Sequence, residues 1–159
     1  GGNANSGGSQ SGPGGNVAVV EPQGSEPQEK SRITSFQLIN PTTGRAIGAI
    51  EDGDTISLRQ SGCGASGACY LNVEAIVDGA DVASVIFMFD GKPIDINGRS
   101  LENTAPYYMA GDINGDPQGN WNWARYVGGQ HTIEAQPCDR DNGEGPCTLP
   151  LTVTFTVTP

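Results

Sequence analysis

Leu151-Thr-Val153-Thr-Phe155-Thr-Val157 sets an apolar residue at every second position with threonine between. Successive side chains of an extended chain point to opposite faces, so this spacing predicts a strand with one buried and one wet face. The same period recurs upstream. Ile33-Thr-Ser-Phe36-Gln-Leu38-Ile39 opens it, Pro41-Thr-Thr-Gly44 turns the chain, and strands over 46–50 and 55–58 follow across Glu51-Asp52-Gly53-Asp54. Leu71, Val73, Ala75 and Val77 form the next set, then Val85, Phe87 and Phe89, ending at Asp90-Gly91. That dipeptide is a strong signal for a tight hairpin. His131-Thr-Ile133-Glu-Ala135 adds one more strand, and no window of helical period reaches ten residues. About seven short strands over residues 32–158 predict an all-β, antiparallel sandwich.

Composition narrows the partners. The chain has 159 residues and a formal charge of −10, with 18 acidic against 8 basic side chains. Nucleic acid and anionic membrane surfaces repel such a chain at long range, so neither is an expected partner. No apolar run approaches the ~20 residues of a membrane-spanning helix, so no membrane insertion is expected. The sequence opens at Gly1 without a Met or an apolar leader, which reads as an export signal already removed or lying outside it.

Four cysteines allow three connectivities. Neighbour pairing, Cys63 with Cys69 and Cys138 with Cys147, is the preferred reading, because each pair brackets a glycine-rich or polar loop able to close a short ring. A zinc site is the competitor, but neither pair has C-x2-4-C spacing and the single histidine, His131, lies within a strand pattern. Disulfides persist in oxidising compartments, which predicts a secreted or cell-surface protein.

The composition changes near residue 31. Residues 1–31 hold eight glycines and a Pro/Gln/Glu run, too little apolar surface to offset ordering entropy, and read as a flexible linker before a body over residues 32–159. Val17-Ala18-Val19-Val20 is a β-prone island within it. It is either an incidental patch or a strand donated to a neighbouring subunit's sheet.

Residues 82–91 (VASVIFMFDG), Glu102-Asn103-Thr-Ala-Pro106-Tyr107, Gly111-Asp112-Ile-Asn114-Gly115-Asp116, residues 129–135 and the closing alternation form an ordered series. It resembles the immunoglobulin-like modules of long secreted proteins that also carry malectin-like or other glycan-associated domains. The resemblance covers roughly residues 32–158 and implies an immunoglobulin-like sandwich, a secreted location and a non-enzymatic role. It also implies that Tyr107 and Trp123 belong to the core. The two cysteine-bracketed loops are not part of that pattern.

Three constellations could carry chemistry. His131 shares a face with Ile133 and Ala135 and reads as a packed histidine rather than a catalytic base, and no G-x-S-x-G, H-E-x-x-H or Walker motif is present, so no enzyme is expected. Asp112, Asn114 and Asp116 supply oxygens at alternate positions of a glycine-containing loop, which suits calcium. Pro117 and Trp123 depart from a dockerin-like loop, and the competing reading is an Asx-rich turn. The aromatic cluster Tyr107-Tyr108 and Trp121-Asn122-Trp123-Ala-Arg125-Tyr126 is the most distinctive. Flat rings stack on the C–H faces of sugars while amides and guanidinium bind the hydroxyls. Tyr108, Trp121 and Tyr126 are the expected exposed rings, with Asn122 and Arg125 as hydrogen-bond partners. The leading expectation is therefore a non-catalytic extracellular module, attached through a flexible linker, for carbohydrate recognition or surface adhesion with a glycan or cell-surface partner. The alternative is a structural subunit of an extracellular filament or matrix, self-associating through the tail and using the last strand as its edge.

Overall fold

The computed structural model describes residues 2, 30–64, 67–94 and 101–159. The linker expectation and the island at residues 17–20 lie outside the described residues. The body is all-β, and its seven longer strands fall where the alternation places them. These are β1 (Arg32–Asn40), β2 (Arg45–Ile50), β3 (Thr55–Ser57), β4 (Asn72–Asp78), β5 (Ser84–Phe89), β11 (Gln130–Cys138) and β12 (Leu151–Thr158). Between β5 and β11 come five two-residue strands: β6 (Lys92–Pro93), β7 (Leu101–Glu102), β8 (Tyr107–Tyr108), β9 (Asp112–Ile113) and β10 (Asp116–Pro117). They are too short for a period to show in sequence.

One sheet has the order β2-β1-β4-β8 and the other β3-β12-β11-β5-β6, with β7 also on β5. The strand order β1-β4-β8 over β12-β11-β5, with an early strand running beside the last one, is that of an immunoglobulin-like sandwich. One pairing departs from the expected antiparallel pattern: β3 runs parallel to β12, from Thr55↔Thr156 to Ser57↔Thr158. The chain crosses between sheets here, and a strand arriving from the other layer can run either way along the edge it meets. Asp52 and Asp54 fix the crossing, since Asp52 Oδ1 accepts from Thr154 N at 2.8 Å and Asp54 O accepts from Thr156 N at 2.8 Å. The outer side of β12 is thereby covered from Thr154 to Thr158. The last strand is not a free edge, which corrects the expectation that it would offer one.

The inward residues of both sheets form one core: Ile33, Phe36, Leu38, Val73 and Ala75 from one layer meet Val85, Phe87, Ile133, Ala135, Val153, Phe155 and Val157 from the other. In β1 the inward positions are not two apart throughout. The register against β4 shifts between Ile33 and Ser35, so Ile33 and Phe36 both face inward across a bulge. Asp90 (φ 51) and Gly91 (φ 69) close the β5–β6 hairpin with two left-handed residues, as the Asp-Gly signal requires.

Both disulfides are the neighbour pairs. Cys63–Cys69 spans 5.4 Å between Cα atoms and Cys138–Cys147 spans 4.0 Å. They staple opposite ends of the sandwich. Cys138 ends β11 beside the starts of β5 and β12, where Ser84 Oγ donates to Arg140 O and Thr148 Oγ1 to Ser31 O. The Cys63–Cys69 loop lies at the other end, against the 3-10 turn Trp123–Tyr126.

Candidate functional site

The loops at the Cys63–Cys69 end hold most of the aromatic cluster, and alternation sets which rings are offered. Cys69 and Leu71 face inward, so Tyr70 between them must point out, and it is 49% exposed. Tyr70 forms an isolated antiparallel bridge with Asn122, which puts the two side by side. Asn122 caps the 3-10 turn: its Oδ1 accepts from Ala124 N at 3.1 Å and from Cys69 N at 3.0 Å. Trp123 then drops into the core, wholly buried, with N donating to Cys69 O at 2.8 Å and Nε1 to Leu71 O at 3.1 Å. Gly119 closes the patch, since a Cβ there would stand 3.1 Å from Pro41 Cγ and 3.7 Å from Tyr70 Cβ.

Trp121 and Tyr126 are half-buried rather than exposed. Their rings stack nearly parallel, 5.5 Å apart at 8°, and both lean on Phe89 at the end of β5, with centroids at 5.4 and 4.6 Å. Each such pair contributes about 0.5–1.5 kcal/mol beyond its buried area, which draws the rings onto one another and away from solvent. The Trp121 Nε1 donor is buried and has no acceptor among the described residues. Burial, with the Asp90 charge behind it, pushes the Tyr126 phenol above its usual value, and the Arg125 charge partly offsets this. Arg125 itself is exposed.

Tyr108 overturns the expectation of exposure. It is 6% exposed although it stands on the face opposite to Tyr107. β8 pairs with β4, Glu74 opposite Tyr108 and Ala75 opposite Tyr107, so Tyr107 enters the core while Tyr108 lies outside it, near Glu74 and the hairpin carboxylates Asp112 and Asp116. Desolvation raises both phenols, and the Tyr107 hydroxyl donates to Val82 O at 2.7 Å. Tyr107 and Trp123 are core residues, as the resemblance implies.

The acidic loop forms a hairpin. Asn114 (φ 55) and Gly115 (φ 86) make the two-residue turn between β9 and β10, and Asp112 Oδ2 accepts from Gly115 N. Opposed residues of an antiparallel pair share a face, so Asp112 stands with Pro117 while Asp116 stands with Ile113 on the other. Asp112, Asn114 and Asp116 therefore do not form one ligand set as folded. The carboxyl that Asp112 faces is Glu102, raised above its usual value first by burial and then by Asp112. No group of three or more His, Cys, Asp or Glu is gathered among the described residues.

His131 is packed against Phe89, with ring centroids 5.5 Å apart. Nδ1 is 2.8 Å from Asp90 Oδ2 and Nε2 is 2.7 Å from Tyr126 O, so both nitrogens are engaged. Two residues escaped the sequence reading. Tyr70 had a signal, an aromatic between two inward positions. Asn72 had one too, an amide that opens an apolar strand. It is wholly buried, its Nδ2 donates to Gly111 O and Gln118 O, and its Oδ1 accepts from Val73 N and Ala110 N. Asn72 thus ties both ends of the segment that carries the β9–β10 hairpin.

Strand order defines the class: an immunoglobulin-like β-sandwich, with a disulfide at each end. No protein-family model matches the chain, and no curated protein matches it. Among solved structures, the fibronectin(III)-like modules of Clostridium thermocellum CbhA are similar at 19% identity and a TM-score of 0.40, over 69% of this chain and 91% of that one. The superposition is loose, and the fold assignment rests on the strand order itself.

Proposed function

We propose that the chain is a non-catalytic extracellular module that binds a carbohydrate through the loops at its Cys63–Cys69 end. The observation that carries this reading is Tyr70, the exposed aromatic among the described residues, held beside Asn122, whose chain neighbour Trp121 stacks on Tyr126. With Oδ1 committed to the backbone, the Asn122 amide keeps Nδ2 as a donor for a hydroxyl, and the exposed Arg125 of the same 3-10 turn supplies charged donors. Tyr70 replaces Tyr108 as the stacking face, while Trp121 and Tyr126 pack half-buried against Phe89. One exposed ring contributes about 1 kcal/mol, so a short oligosaccharide binds weakly and multivalent display supplies the rest. The two disulfides support an oxidising compartment, and no helix among the described residues is long and apolar enough to cross a membrane.

Affinity electrophoresis through gels containing soluble polysaccharides tests the proposal. Wild-type protein is retarded in at least one gel and Tyr70→Ala migrates freely, with its melting temperature unchanged because the ring is exposed. Equal retardation of the two proteins removes the platform. Calcium at Asp112, Asn114 and Asp116 stands as a separate proposal, and it asks the hairpin to rewind so that those oxygens converge.

A further inference from the structure

The first sheet ends in an edge that nothing among the described residues covers. In β2, Arg45, Ala46, Ile47, Gly48 and Ala49 are all exposed, and only Ile50 turns inward. β2 pairs with β1 on one side and, among the described residues, has no partner on the other. A Cβ built at Gly48 would meet nothing within 4 Å, and Ile47 is 39% exposed. Sheet edges are usually blunted by proline, inward charges, lysine or a bulge. Ala46-Ile47-Gly48-Ala49 has no proline and no charge, and its one such device is the bulge at Ile47, between Gly48 opposite Leu38 and Ala46 opposite Ile39. Such an edge accepts an extended strand by main-chain hydrogen bonds.

We infer that β2 accepts Val17-Ala18-Val19-Val20 of a second copy of this chain. Those four residues are the β-prone apolar run of residues 1–29, and Glu21 follows them directly. Antiparallel addition sets Glu21 opposite Arg45, Val20 opposite Ala46, Val19 opposite Ile47 and the small Ala18 opposite Gly48. Arg45 has no ion-pair partner among the described residues, so the charge match is open to it. Parallel addition would instead bring Glu21 to the Ile50-Glu51 end, against a like charge.

Reach excludes the chain's own tail in that register. A strand antiparallel to β2 runs parallel to β1, so Glu21 would lie level with Asn40, which pairs with Arg45 at the far end of β1. Returning to Ser31 means about 30 Å along β1 and two strand spacings of about 5 Å sideways. The ten steps from Glu21 to Ser31 include Pro22 and Pro27 and cover about 31 Å as polyproline II and at most about 36 Å fully extended, and the chain must also reverse direction at Glu21 and round the edge within that length. A second copy has no such limit.

The full chain tests this by light scattering over a concentration series, with amide exchange at residues 46–49 read in parallel. The expected result is a mass that rises with concentration, loss of the heavier species in Val19→Pro, which removes a ladder donor, and protection at 46–49 that follows the mass. Arg45→Glu is expected to weaken association by up to about fivefold, and adding Glu21→Arg to restore it. A wild-type chain that stays monomeric at millimolar concentration overturns the inference. So does association that Val19→Pro leaves intact. Protection at 46–49 in a concentration-independent monomer, lost in Val19→Pro, assigns the edge to the chain's own tail and overturns the second copy.

Discussion

Asn72 shows how a single residue positions a whole loop. All four of its side-chain hydrogen bonds go to backbone, two into Gly111 and Gln118 at the base of the hairpin segment. Leucine there would fit the apolar strand but orphan two buried N–H groups, those of Val73 and Ala110, together with the Gln118 carbonyl, while Gly111 O keeps its bond from Gln118 N. Each buried polar group left unpaired costs about 1–3 kcal/mol, so Asn72→Leu is expected to lower unfolding free energy by at least about 2 kcal/mol in urea titration. Glu74 provides a pH readout. Burial raises its carboxyl above the usual 4.5, so the folded state holds its proton more tightly than the unfolded one. The corresponding stability is complete below pH 4.5 and is lost as pH rises through the raised folded value. Glu74→Gln is therefore expected to flatten that decline in melts run across the acid range, and an unchanged slope would assign it elsewhere. Tyr70 and Asn72 were both legible as breaks in a pattern. Reading them required knowing which neighbours face inward, and that is set by pairing across strands.

At the scale of elements, the seven longer strands were legible because each belongs to a stretch with apolar residues two positions apart. The short strands from β6 to β10 were not, because a two-residue strand has no period and exists only through its partner. Tyr108 is the clearest case: nothing local distinguishes it from an exposed tyrosine, and it is buried outside the core, on the face where Glu74, Asp112 and Asp116 lie near it. The loop carrying Asp112, Asn114 and Asp116 was read for its oxygens, whereas Asn114-Gly115 also spells a two-residue hairpin turn. As folded, Asp112 and Asp116 lie on opposite faces, so the calcium proposal requires the hairpin to rewind and expects millimolar calcium to raise the melting temperature above its value in chelator. A ligand that binds only the folded state must raise that temperature, so a clear rise would show that the hairpin rewinds around the ion.

The molecule as a whole is a sandwich stapled at both ends, and the staples are short. Closing rings of this size constrains the unfolded chain by about 2–3 kcal/mol each in the chain-entropy view. Cys63–Cys69 also braces the contact loops, because Cys69 lends N and O to Asn122 and Trp123. The double variant Cys63→Ser/Cys69→Ser is thus expected to lose ligand retention before it loses its fold, while Cys138→Ser/Cys147→Ser, at the other end, loses stability alone. Gel retention and circular dichroism on the two variants separate these outcomes.

The central claim is that this sandwich makes its contacts through one loop end, with Tyr70 as the offered ring. Titrating the isotope-labelled chain with the polysaccharide fragment that retards it, and following backbone amide shifts, measures this directly. The account expects perturbations gathered at Tyr70 and residues 118–126, with the Cys138–Cys147 end and β12 unmoved. Shifts centred on β2 or on the Cys138–Cys147 end, or none at saturating ligand, would contradict it.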